Sequence, residues 1–297
     1  MAAVDHNAPV EAAPSPHRAM LRRALAHGGV TIGAGLLLII IVMAVIGPFL
    51  IAHGPYDQDL TARLVPPIWM EGGSWEHPFG TDQLGRDYLA RLLYGARISL
   101  MIGFGTVFIA GTIGTVLGVA AGYFGGRVDM VVTFLISVRL STPLVLVALA
   151  VVSIVGGSLQ VVVLVLGLLL WDRFAVVMRA STMQLRAIEY VTAARAIGCS
   201  TPRILTREIM PNVMNNLIVV TTLEMAHAIL LEAVLSFLGL GVKPPTPSWG
   251  LMIAEGREVL LFEPWLITIP GLALLTLVLS INLVGDGIRD VTSPEDR

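Results

Sequence analysis

Four uncharged stretches dominate the pattern along the chain: Gly28 to Ala52, Ile98 to Gly126, Leu140 to Trp171 and Pro264 to Gly285. Each reaches or exceeds the roughly 20 residues that a helix rising about 1.5 Å per residue needs to cross about 30 Å of hydrocarbon. Runs this long predict helices, because a helix satisfies its own backbone hydrogen bonds and a lone strand does not. Turn signals divide the apolar sequence into six helices, 28–51, 98–122, 129–155, 159–180, 213–238 and 264–285. The third and fourth are separated only by GGSLQ at 156–160, a tight hairpin. The expected organisation is a disordered N-terminal tail (1–27), a first transmembrane helix (28–51), an extracytoplasmic loop (52–97), a five-helix core (98–286) and a C-terminal tail (287–297). The fold class is therefore an all-α integral membrane protein with six transmembrane helices.

Composition strengthens that reading. The chain is 55% hydrophobic and 13% charged, a balance that excludes an ordinary soluble domain of 297 residues. A net charge of -2 with dispersed arginines argues against nucleic acid or an anionic surface as a general partner and leaves the lipid bilayer as the first one. Cys199 is the single cysteine, so no internal disulfide forms, and it reads as a small packing residue. The first apolar stretch exceeds the roughly 7–15 residues of a secretory h-region and lacks a small-x-small cleavage site, so it is expected to be retained.

With the N-terminus inside, internal segments hold twelve of the nineteen Lys and Arg: Arg18, Arg22 and Arg23, then Arg127, six between Asp172 and Pro211, and two after the last span. External segments hold Arg63, Arg86, Arg91, Arg97, Lys243 and Arg257. This bias predicts a multi-pass cell-membrane protein with both termini cytoplasmic. It also places the polar insert AARAIGCSTPRILTREIMPN, 193–212, in the largest internal loop. There Glu189 to Ile197 can be helical, Gly198 supplies a left-handed stop, Thr201 can cap with Pro202 at the first helical position, and Pro211 limits a second short helix. Ala193, Ala194 and Gly198 would let another protein approach the backbone closely, with Arg195, Arg203 and Arg207 available to acidic groups around it.

At these residues the sequence resembles the coupling loop of permease subunits of binding-protein-dependent ABC importers. HPFGTDQLGRDYLARLLYGARISL at 77–100 and EAVLSFLGLGVKPPTPSWG at 232–250 are similar to the second, C-type permease of the dipeptide and oligopeptide branch. The resemblance covers about residues 28 to 290. It implies a type I importer: a second, homologous permease, two ATP-binding subunits carrying ATP and magnesium, and an extracytoplasmic solute-binding protein. Dipeptides, longer peptides, metal chelates and haem are the substrates such assemblies handle. ATPase coupling would fall to Ala193, Ala194, Arg195, Gly198, Arg203, Arg207, Glu208 and Pro211. Glu208 stands where relatives commonly carry His, Thr192 where they carry an acid, and Phe134 and Ser137 where a polar pair is expected in the third span.

The chemistry on the chain itself fits a permease and not an enzyme. No GxxxxGK[ST] phosphate loop exists, the single lysine is Lys243, and no HExxH or nucleophile–base pair is present. No cofactor or metal is therefore expected on this chain. Gly114, Gly118 and Gly122 recur four apart, a stripe for close helix packing, with a glycine-lined passage as the alternative. Ionisable groups inside spans demand a partner, water or a function. Glu224 and His227 share a helix face with Glu232 two turns on, forming either a structural network or a polar translocation wall. Arg139 is expected to pair with Glu224 or Glu232, or else to meet a substrate carboxylate. An ion-coupled secondary transporter using Glu224 and His227 is the alternative function.

In the 53–97 loop, Asp82, Arg86, Asp87 and Arg91 alternate in charge, which predicts a surface salt-bridge ladder. KPPTPSWG reads as a stiff loop offering Trp249 to the membrane interface or a partner.

Overall fold

The computed structural model describes residues 26–292. The basic positions Arg18, Arg22 and Arg23, most of the expected N-terminal tail, and the end of the C-terminal tail lie outside the described residues. Among the described residues the regular structure is helical, apart from two isolated bridges, Ser74 to His77 and Thr81 to Asp87. Five helical stretches among the described residues are long and apolar enough to span a bilayer, six if one bent pair is counted as a span.

In chain order the helices are α1 (Gly28–Leu50), α2 (Tyr88–Phe124), α3 (Gly126–Leu140), α4 (Leu144–Val155), α5 (Leu159–Leu169) and α6 (Trp171–Arg186). They continue as α7 (Glu189–Ala196), α8 (Thr201–Ile204), a π turn (Leu205–Ile209), α9 (Met210–Phe237), α10 (Trp249–Gly256) and α11 (Trp265–Thr292). Helix α2 has 37 residues, about 55 Å at the usual rise, so it outreaches the hydrocarbon. It forms the axis of the bundle, packing on α1, α5, α6 and α9. The α2–α6 contact is the most extensive, and the glycine stripe makes it possible. A Cβ at Gly114 would stand 2.3 Å from the carbonyl oxygen of Trp171, at Gly118 2.5 Å from that of Ala175, and at Gly122 2.6 Å from that of Arg179. Any side chain there would push α6 away from α2.

The boundaries differ from the expected ones where polar groups do structural work. Helix α2 begins at Tyr88, not near Ile98, because Asp87 caps it by accepting from the Ala90 amide at 2.7 Å. The third span is broken: α3 and α4 are bent by 82° about Ser141, Thr142 and Pro143. Pro143 lacks an N–H and biases Thr142 away from helical angles, so the ladder ends there. Pro211, by contrast, does not limit a second short helix. It sits in the first turn of α9, and the π turn before it opens the ladder where the proline offers no donor. The second helix of the elbow and the fifth span are thus continuous, from Thr201 to Phe237.

Proline also explains Arg97. Pro48 lies inside α1 and cannot donate to the carbonyl of Ala44. Arg97 of α2 does so instead through Nε, and its Nη2 donates to Val45 O at 2.8 Å. The guanidinium lies 5.3 Å from the Tyr94 ring centroid and 5.4 Å from that of Phe49. A charged group is thereby stably placed beside an apolar helix.

Candidate functional site

The elbow is anchored from below and bare above. Val191, Ile204, Ile209 and Val213 are buried against Val119, Tyr123 and Met178, so α7, α8 and the π turn rest on the adjoining ends of α2 and α6. Gly198 takes a φ of +82°, and its amide donates to Arg195 O at 3.1 Å while Cys199 N donates to Ala194 O at 3.0 Å. That left-handed residue ends α7 and turns the chain. Thr201 is the first residue of α8, so the preceding Ser200, not Thr201, occupies the cap position. On the outer face Ala193, Arg195, Ile197, Gly198, Arg203, Arg207 and Pro211 are exposed, with Ala194 and Glu208 half-buried. Ile197 is 80% exposed, and a Cβ at Gly198 would meet nothing within 4 Å. Arg195 lies over the Tyr123 ring at 5.2 Å.

Within the bundle, α6 and α9 frame a cavity of about 630 Å³ lined by Asp172, Arg173, Glu224 and His227 among apolar residues. Glu224 is buried; its Oε2 lies 3.2 Å from His227 Nδ1 and its Oε1 lies 3.5 Å from Arg173 Nε. The Arg173 side chain is 60% exposed and lines the cavity. Asp172 Oδ1 is buried without a hydrogen-bond partner among the described residues. A larger groove of about 750 Å³ between α2 and α9 offers only Thr112, Thr115 and Thr221 as polar lining.

This arrangement corrects two assignments. Arg139 pairs with neither Glu224 nor Glu232. Its Nε donates to Leu169 O at 2.5 Å, satisfying a carbonyl left open where the helix is interrupted at Leu170. Glu232 does not join the wall either. It is buried and accepts from Ser236 Oγ at 2.7 Å and Ser248 Oγ at 2.9 Å, tying α9 to the start of α10. The cation that does meet Glu224 is Arg173, which is counted with the internal arginines although it falls within the expected span 159–180. A legible signal was present: Asp172 and Arg173 follow Trp171 directly within an apolar helical run.

At the other end of α2 the alternating charges are inside, not on the surface. Asp82, Arg86 and Arg91 are buried. Arg86 Nε lies 2.6 Å from Asp82 Oδ2, while Arg91 Nη1 contacts both Asp82 and, at 2.8 Å, Glu255 of α10. Two arginines and two carboxylates compensate one another, which lets the loop pack down on α10. Trp249 is likewise buried, its indole donating to Leu92 O at 2.8 Å, and so is not available to a partner.

The family described as "Binding-protein-dependent transport system inner membrane component" matches residues 114–295. The chain belongs to that family. A second match, "N-terminal TM domain of oligopeptide transport permease C", covers residues 15–67. The dipeptide transport system permease protein DppC of Haemophilus influenzae is 40% identical over 267 residues, 90% of each chain. The di/tripeptide transport system permease protein DppC of Pseudomonas aeruginosa is 38% identical over 98% of this chain and 97% of that one. Among solved structures, an inward-facing MetNI methionine ABC transporter chain matches with a TM-score of 0.56 at 19% identity, covering 68% of this chain and 96% of that one. That last likeness concerns the fold alone. The protein is thus a multi-pass inner-membrane permease component and not an enzyme.

Proposed function

We propose that the chain is one of two different permeases in an ATP-driven importer of dipeptides and short oligopeptides. The peptide class is supported by the dipeptide and di/tripeptide permeases to which it is similar over nearly its whole length. A homologous second permease completes the path, an extracytoplasmic binding protein delivers solute, and two ATPase subunits hold ATP and magnesium. The Lys and Arg bias supports cytoplasmic termini and a cytoplasmic elbow.

The observation that carries the coupling role is the bare outer face of the elbow: small residues, an exposed Ile197 and open space at Gly198, on a base buried against α2 and α6. Ala193, Ala194 and Gly198 give close approach, Arg195, Arg203 and Arg207 pair with acids on the ATPase, and Glu208 and Pro211 set the exit into α9. Because α8, the π turn and α9 run without a break, a push on the elbow is delivered along the helix that bears Glu224 and His227. Nucleotide biases the assembly only through its different affinity for the two states, and the motion is rigid-body. In the cavity, Arg173 meets a peptide carboxylate, and Asp172 with Glu224 meets its ammonium group. The ion-coupled alternative has less support, since the chain belongs to the binding-protein-dependent transport family and is similar over most of its length to dipeptide permeases.

Reconstituted vesicles carrying the purified complex test this. Uptake of dipeptides that requires ATP inside and the binding protein outside is the expected result. Uptake by this chain alone, or preference for haem or a metal chelate over every peptide offered, would overturn it.

A further inference from the structure

The loop between α1 and α2 brings together three side chains that the sequence keeps apart. His53 follows the end of α1, whereas Glu76 and His77 lie in the turn before α2. One potential ligand atom from each falls within 4.8 Å of the others. The two imidazole rings are tilted by 42° with centroids 4.9 Å apart. We infer that His53, Glu76 and His77 form a binding site for a divalent transition-metal ion of the zinc class.

The carboxylate behind His77 supports the assignment. His77 Nδ1 lies 2.8 Å from Asp87 Oδ2, and the two side chains are 12% and 2% exposed. Asp87 is itself fixed, its other oxygen accepting from the Ala90 amide at 2.7 Å as the cap of α2. A carboxylate on one ring nitrogen sets the tautomer, orients the ring, and leaves the Nε2 lone pair for a metal. The turn carrying Glu76 and His77 is also held: Glu76 N donates to Ser74 Oγ at 3.1 Å, and Gly80 N to His77 O at 2.8 Å.

Two imidazoles and one carboxylate suit zinc, copper or nickel and disfavour magnesium or calcium, which prefer all-oxygen shells. In a tetrahedron with bonds of about 2.1 Å the ligands stand about 3.4 Å apart, so the trio closes by roughly an ångström on binding. Glu76 is exposed and His53 half-buried, so both have room to make that movement, and solvent supplies the fourth ligand. The ion would clamp the start of the loop to the turn that leads into α2.

The test uses the full-length chain, purified in detergent through an affinity tag free of histidine. Titration with Zn²⁺ against a competing chromophoric chelator is expected to show one ion per chain. His53→Ala and Glu76→Gln, both at solvent-reachable positions, should each weaken it by about tenfold or more. Co²⁺ should give the visible bands of a four-coordinate site, lost in His53→Ala, and Zn²⁺ should raise the thermal midpoint of the wild type only. Absence of saturable binding, or equal affinity in the wild type and both variants, would overturn the inference and assign any bound zinc to other histidines.

Discussion

Gly198 offers a way to separate a backbone requirement from a docking surface. Its φ of +82° imposes on any L residue a cost of about 1–2 kcal/mol, and that cost is common to Gly198→Ala and Gly198→Trp. A new Cβ meets nothing within 4 Å, and the neighbouring Ile197 is 80% exposed, so a side chain at 198 starts out into open space. The two variants should therefore have the same thermal midpoint in the isolated chain, within about 0.5 kcal/mol. In the assembled importer they should diverge, because the knuckle between Ala193 and Gly198 would be pressed against an ATPase groove. Peptide uptake per ATP hydrolysed, measured in reconstituted vesicles, is expected to fall about tenfold further in Gly198→Trp than in Gly198→Ala, equivalent to about 1.4 kcal/mol of lost coupling. Equal uptake per ATP in the two variants would refute the docking argument, since left-handed strain alone would then account for the whole effect.

Other perturbations address the remaining sites. Arg173→Gln should reduce uptake of peptides with a free carboxylate more than of their C-terminal amides at equal expression, and competition assays with matched pairs would show it; equal losses would remove Arg173 from recognition. Asp82→Asn leaves the buried guanidinium of Arg91 with Glu255 alone, and breaking such a pair costs about 3–5 kcal/mol, so a melt followed by fluorescence-detected size exclusion should shift sharply downward. Arg97→Ala should destabilise by about 1 kcal/mol in the wild type but less in a Pro48→Ala background, where residue 48 regains an amide for Ala44 O. Additive effects in that double-mutant cycle would contradict the proposed substitution of donors.

Much of this architecture was readable in one dimension. The apolar runs that became α1, the greater part of α2 and α11 announce themselves by length, and the spacing of Gly114, Gly118 and Gly122 locates the face that meets α6. Gly198 as a left-handed stop was equally visible, because helix termination by glycine is a local property of the backbone. Other features escaped for a shared reason: their meaning depends on a group distant in sequence. Pro211 looked like a terminator, yet a π turn absorbs it; Pro143, no more conspicuous, breaks its helix through 82°. The charges from Asp82 to Arg91 looked exposed because the acid that completes their burial, Glu255, lies on another helix.

The chain's own order of residues settled what local physics governs: a helical membrane protein, the rough place of its apolar runs and its polar elbow. Each follows from the cost of leaving backbone or charge in hydrocarbon, which a short window of sequence suffices to register. Folding in three dimensions decided which charges meet. It put Arg173, and not Arg139, beside Glu224, set Glu232 against two serines, and drew His53 toward Glu76 and His77. Pairing energies depend on separations of a few ångströms between residues far apart along the chain, and only the packed helices fix those separations.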